Sequence, residues 1–543
     1  MIKRIVLILV LTLIPLSVQG NLFPEEVAII SVDTPQSQQV AQYYAQARKI
    51  PLDNILTLSL DDNAELSRNV WVHEIRPQIR NWLQSKRRKI RCVVTVWGCP
   101  LRIGQAPSES YAQTDRLIEL NQTWQAKLIQ ASEVIQRFDS IAVTQKPGLK
   151  KLPVTSKVKE VIAEINESIK NAQFRIRRQS PELQKRLAIP FQNEFIAVAG
   201  VKGLYQNLQS NADKLPEDKK TSVTLMGSEI SAIENTLAEF QFLPCSALRD
   251  TFIINNLEKI GGLMASMQWI ENQIEQSHTN ETMAAFDSEL ALILLPDHDL
   301  NRWLPNPLYY GAASAIKNLP TLIVARLEAP TVEIVKRMID QSIETEGKRL
   351  SGKLYIDAKY YIPSGNYAPG SYERYDQSLY LLDKRIKTNT KMASVFDSNL
   401  SLFSEGTCPD TALYVGWYSL GKYIPSCKWN PGSIGMHLAS SEACNLRDST
   451  STLWCPQMLI NGAAAVVGPT FEPYLGAFPQ PDYFFSLILT GDYTLGEAFA
   501  YTQPYVSWSI ILIGDPLYRP YKINPPLSRT NLPPEFKTGL GNK

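Results

Sequence analysis

The sequence predicts an α/β protein built on a mostly parallel open sheet and carrying a helical insertion. Three observations support this. Short β-rich runs alternate with helix-length stretches in residues 21–105 and again after residue 280, as βαβ units do. Between them, residues 106–280 carry apolar residues three and four apart. From 411 to 521, apolar runs each stop at small or polar residues. In open α/β sheets, ligands collect at such carboxyl ends.

The elements follow in order. Residues 27–32 read as a strand, and Thr34-Pro35 opens a helix with Val40, Tyr43 and Tyr44 as its apolar positions. Residues 54–60 are a second strand, 70–83 a second helix, and RCVVTVW (91–97) a third strand ending at Gly98-Cys99-Pro100. The insertion holds Val158, Val161, Ile162, Ile165 and Ile169 at helical spacing, then Ile230, Ile233, Leu237 and Phe240, then Leu257, Ile260, Met264 and Met267. Its stretch 146–186 is rich in Lys and Arg. That is either a patch for an acidic envelope polymer or a set of solvated helix faces. In 281–390, residues 290–295, 322–327 and 354–357 read as strands and 330–346 as a helix. Asp287 and Glu289 enter the first of these strands from its amino side. Residues 360–375, rich in Tyr, Pro and Gly, read as a loop. A final α/β block spans 391–523, and 524–543 reads as a Pro-rich tail.

Composition narrows the function classes. The chain of 543 residues is 44% hydrophobic and 20% charged, an ordinary globular balance. A net charge of +2 argues against nucleic acid as a partner. Residues 1–20 read as an export signal: Lys3 and Arg4, an apolar run over 5–16, then Val18-Gln19-Gly20. The alternative is an uncleaved anchor. An exported, periplasmic or extracellular protein with no stable membrane span after cleavage is expected. Export permits disulfides, and the odd count of seven cysteines leaves at least one thiol over. Cys408 with Cys427 and Cys444 with Cys455 are the pairs to test first, though spacing does not fix connectivity. With four histidines and no Cys/His ligand spacing, no structural zinc site is expected. No glycine-rich nucleotide fingerprint follows a strand, so no cofactor is expected.

The candidate site residues lie at strand ends. His437 closes SIGMHL, just before Ser440, Ser441 and Glu442, the composition of a nucleophile–base site. Cys444 is a third candidate nucleophile. Arg447 could clamp a carboxylate. The structural alternative is that His437 and Arg447 lock the loop. Gly468 permits a sharp turn that carries Glu472 toward His437, or Glu472 pairs with Arg447. Asp515 in IGDPLYRPY ends another strand, as ligand contact or turn former. Glu328, Asp357, Glu472 and Asp515 would rim one sheet edge and suit a divalent cation, if strand order gathers them. No metal is assigned.

Three blocks resemble a family of uncharacterised exported bacterial proteins found in species carrying the exosortase sorting system. They are EVAIISVDTPQSQQVAQYYAQARKIPLDNIL through VTVWGCPLRI; DSELALIL, IVARLEAP and GKLYIDAK; and PGSIGMHLASSEACNLRD through INGAAAVVGPTFEPYLG and SWSIILIGDPLYRP. They cover the chain outside the insertion. The family usually has Asp where this chain has Glu328, and the long helical segment exceeds its pattern. Gly462-Ala463-Ala464-Ala465 and Gly514-Asp515-Pro516 are similar to the later elements of gingipain-type cysteine peptidases, of the caspase–haemoglobinase fold. That resemblance implies a His-Gly pair where GWYS places Trp417, and a nucleophilic Cys near Ser440 or Ser441. Neither catalytic residue is present.

Two functions follow as expectations. One is a divergent or non-catalytic envelope protein holding a peptide or glycan, with Trp417, Arg447, Glu472 and Asp515 as binding residues. The other is a peptidase- or esterase-like hydrolase with His437 as base and Ser440, Ser441 or Cys444 as nucleophile.

Overall fold

In the computed structural model, residues 22–60, 63–86, 90–106, 111–142, parts of 151–171 and 263–274, and 281–536 with short gaps are described. The expected signal (1–20), Cys245 and most of the basic stretch lie outside the described residues.

Ten strands form one sheet. In chain order they are β1 (Val27–Val32), β2 (Ile55–Leu58), β3 (Cys92–Val96), β4 (Ile323–Leu327) and β5 (Lys353–Asp357). Then come β6 (Ser394–Asp397), β7 (Cys408–Gly416), β8 (Cys427–His437), β9 (Ala465–Pro469) and β10 (Ile510–Ile513). Their spatial order is β6-β5-β7-β8-β9-β10-β4-β3-β1-β2. Strands from both sides of the insertion therefore share one sheet. Helices α1 (Pro35–Arg48), α2 (Arg76–Gln84), α3 (Tyr111–Ala142), α4 (Phe286–Leu290), α5 (Val332–Lys348), α6 (Tyr372–Asn389), α7 (Trp454–Ile460), α8 (Pro481–Leu489) and α9 (Leu495–Thr502) complete the frame. The fold is α/β with a mostly parallel sheet, as the alternation of elements predicts.

Local chemistry explains the boundaries. Thr34 caps α1 by accepting from Ser37 N, Pro35 occupies its first turn, and Lys49 ends it in the left-handed region. Thr331 and Ser371 cap α5 and α6 in the same way. Side chains alternate across the sheet. Leu354, Ile356, Val415 and Met436 join one apolar cluster, while Tyr355 and Tyr414 join another on the opposite face. Because both faces are covered, the strands read as continuous apolar runs.

β10 is the exception in direction. It runs antiparallel to β9, from Val466 beside Ile513 to Pro469 beside Ile510. It meets β4 at one bridge, Ile513 with Arg326, whose hydrogen bond follows a parallel pattern. A single bridge does not set chain direction. Pro516 and Ile323 both pack on Gly496. Three residues after Ile513 thus meet three residues before Arg326, so β10 also runs against β4. The other nine strands share one direction, and their carboxyl ends share one edge.

One expected strand is absent. Residues 286–290 form α4 and 291–294 a turn, not the strand expected over 290–295. Phe286, Leu290 and Ile293 are buried there, and Leu322 N bonds Ala291 O. The apolar run is continuous because it is buried all round, which a strand and a short buried helix share. Asp287 and Glu289 lie within that helix, both buried.

Candidate functional site

The carboxyl edge carries the ends of β5, β7, β8 and β9 and the loops that follow. After β8 the chain enters a loop over 438–453, and after β9 a second loop holding Glu472. The loops meet where Ala443 N donates to Pro469 O at 2.8 Å and Ser440 Oγ donates to Glu472 Oε2 at 2.6 Å. Glu472 is exposed and Ser440 half-buried, so this pair faces solvent.

His437 does not face solvent. It is 0% exposed, with its ring stacked on Trp454 at 3.5 Å between centroids. Tyr414 lies parallel to it at 6.3 Å. His437 Nε2 accepts from Ser419 N at 3.4 Å, and Nδ1 has no partner. Burial holds the imidazole well below its ordinary pKa, so it is neutral at pH 7. Its ring makes no hydrogen bond to Ser440, Ser441 or Cys444.

Glu442 supports the same arrangement. It is buried and accepts from Gly421 N at 3.0 Å and Trp454 N at 2.6 Å. One carboxylate thus holds the loop after β7 and an orphan amide at the start of α7. Trp454 Nε1 donates to Ser419 O at 2.9 Å, closing the loop over His437. Burial raises the Glu442 carboxyl above its usual range despite these bonds.

The remaining rim residues differ in accessibility. Ser441 holds a left-handed backbone, φ 61°. Cys444 is half-buried, and its thiol is pushed up mainly by burial, with Arg102 opposing. A thiol so shifted is protonated at neutral pH. Arg447 lies 3.3 Å from Glu328 Oε1 and over the Trp97 ring. Glu328 is thus an acidic partner of Arg447. Arg102 donates to Thr470 O at 3.4 Å, beside the same loops. Sequence reading missed Arg102. Its only signal is an arginine directly after the Gly-Cys-Pro turn and Leu101.

Trp417 is buried, and its indole N–H donates to Asp376 on α6. It lies edge-on to Tyr360, Tyr372 and Tyr375. Asp376 also accepts from Tyr360 N, and burial pushes its carboxyl up to about 6. Next to it, Asp357 ends β5. Its Oδ2 accepts from Phe403 N at 3.0 Å, while buried Oδ1 has no partner. Burial, with the charges of Asp397 and Asp376, pushes it up to about 7. Neither of these two shifted acids was legible as such, because burial by residues far along the chain produces the shift.

The edge expected to gather Glu328, Asp357, Glu472 and Asp515 is incomplete. The tips after Leu438 and Val467 converge. The tip after Ile513 does not, because β10 is reversed. Asp515 lies at the opposite edge, fully buried, accepting from Tyr44 Oη at 2.7 Å and Arg48 Nε at 2.6 Å. It also accepts from Leu517 N at 3.0 Å, within its turn. It therefore holds α1 to the sheet rather than lining the site. Glu328 is sealed by Arg326, Gly98 N and Arg447. Among the described residues, no group of three or more His, Cys, Asp or Glu side chains could hold a metal ion.

The fold and site define an α/β protein with a mostly parallel sheet and a solvent-facing polar rim at its carboxyl edge. No protein-family model matches the chain. A search of the curated proteins finds no match either.

Proposed function

We propose that this is an exported envelope protein with a peptidase-like fold, divergent or non-catalytic, that binds a peptide or glycan along its carboxyl edge. The observation that carries this reading is the sealing of His437. A general base must come within hydrogen-bond reach of the proton it removes. This ring reaches only a backbone N–H and lies beneath Trp454. The His437 ring is bonded to Ser419 N rather than to Cys444 or Ser441, and Ser440 is engaged with Glu472. What faces solvent is the Ser440–Glu472 pair, with half-buried Arg447 and Cys444 near it. These groups suit hydrogen bonding to the amides of a peptide or the hydroxyls of a sugar. Export is supported by the basic and apolar pattern of residues 1–20. No helix among the described residues is long and apolar enough to cross a membrane.

The test compares wild-type protein with His437→Ala in labelling by acyl- and thiol-directed probes. The expected result is equal labelling of both, with thermal stability lowered by about 2–4 kcal/mol for the lost ring. Labelling of Ser440, Ser441 or Cys444 that disappears in a still-folded His437→Ala protein would establish the hydrolase instead.

A further inference from the structure

We propose that Cys408 and Cys427 are a redox dithiol that closes to a cross-strand disulfide by exchange with a low-molecular-weight disulfide. The two residues open β7 and β8 and are direct partners in the register of that parallel pair. Cys408 N donates to Ser426 O at 2.9 Å, so the strand ends are already joined. Neighbouring strands lie about 4.8 Å apart. A disulfide spans Cα atoms roughly 4.4–6.8 Å apart, a range that includes this strand spacing.

The other described cysteines lack this geometry. The Cys92 and Cys99 thiols face the carbonyls of Val93 and Ile30. Cys455 is buried in α7 beneath Gly468, and Cys444 sits in the preceding loop. Neither of those two has a strand partner.

The pair is also asymmetric. Cys408 is buried and Cys427 half-exposed. Ser426 Oγ lies 3.7 Å from the Cys427 sulfur, and Thr407 Oγ1 lies 3.9 Å from that of Cys408. The two thiols act on one another, and Cys427 is the more exposed of them. Cys427 is therefore the attacking thiolate. It displaces one half of the external disulfide as a thiolate, which takes up the proton Cys427 has lost. Cys408 then attacks the Cys427 sulfur, and the second half leaves as thiol with the Cys408 proton. Two protein thiols are oxidised and one small disulfide is reduced to two thiols. The bond closes residues 408–427 into a ring. That ring contains Ser419, which bonds His437, and Gly421, which bonds Glu442.

The experiment equilibrates the full chain in glutathione buffers from reducing to oxidising and reads intact mass and peptide maps. The wild type is expected to lose about 2 Da, as two hydrogens, and to yield a linked Cys408–Cys427 peptide. Cys408→Ser is expected to trap a glutathione adduct on Cys427, while Cys427→Ser leaves Cys408 unmodified. Wild-type protein that keeps both thiols in oxidising buffer, or a link mapped to another pair, overturns the proposal. The wild-type map alone decides this if the variants fail to fold.

Discussion

At the scale of single residues, burial decides which groups remain available for chemistry. His437 has the composition of a catalytic base around it in sequence, yet its environment makes it a neutral packing ring. Its folded pKa lies below the unfolded value. The unfolded chain thus binds the proton first. The stability from the neutral ring is complete above about pH 6.5 and is lost as pH falls from there toward the folded value. Asp357 behaves in the opposite sense. Its folded value is about 7, above that of an unfolded carboxyl. Its contribution is complete below about pH 4 and is lost as pH rises through the folded value. Asp357→Asn removes that loss while keeping an oxygen for Phe403 N. It is expected to raise the melting temperature at pH 8 and to leave it nearly unchanged at pH 4. Equal shifts at the two pH values would mean that the carboxyl is not the group responsible.

At the scale of elements, close approach rather than turn geometry explains a key glycine. The sequence suggested that Gly468 turns the chain out of its strand. Instead it lies within β9, paired with Ile511. An added Cβ there would overlap the Cys455 sulfur of α7. The glycine is what lets α7 settle onto β9 and present Trp454 to His437. Gly468→Ala is expected to cost about 1–3 kcal/mol through overpacking. Adding Cys455→Ala should recover a large part of that cost, because the clashing atom is gone. A double-mutant cycle in urea measures the coupling. Additive costs would place the strain elsewhere.

At the scale of the whole molecule, one buried guanidinium joins parts of the chain far apart in sequence. Arg326 in β4 is 0% exposed and binds Asp287 through Nε and Nη2, Glu328 through Nη1, and the carbonyls of Cys99 and Pro100. Thr95 adds a hydroxyl to Asp287 at 3.0 Å. The residues before and after the insertion meet here, and Arg447 reaches the same Glu328 from the site loop. Arg326→Met leaves two buried carboxylates with too few partners. It is expected to cost about 3–5 kcal/mol, read as a lower urea midpoint. A loss under about 1 kcal/mol would show that the carboxylates find other partners or protonate cheaply.

Much of the frame was legible in the chain because it is encoded locally. Residues 27–32 form the expected strand, and Thr34-Pro35 opens the expected helix. The strand end at His437 follows from an apolar run stopped by polar residues, whereas the next strand runs on through Gly468 to Pro469. Neighbours remote in sequence decided the rest. They turned residues 286–290 into a buried helix, reversed β10 and so moved Asp515 to the far edge, and sealed His437 under Trp454. Periodicity and capping depend on residues within a few positions of each other, so a sequence displays them. Strand direction, desolvation and access to solvent depend on which distant segments pack together, and only the folded chain brings those segments into contact.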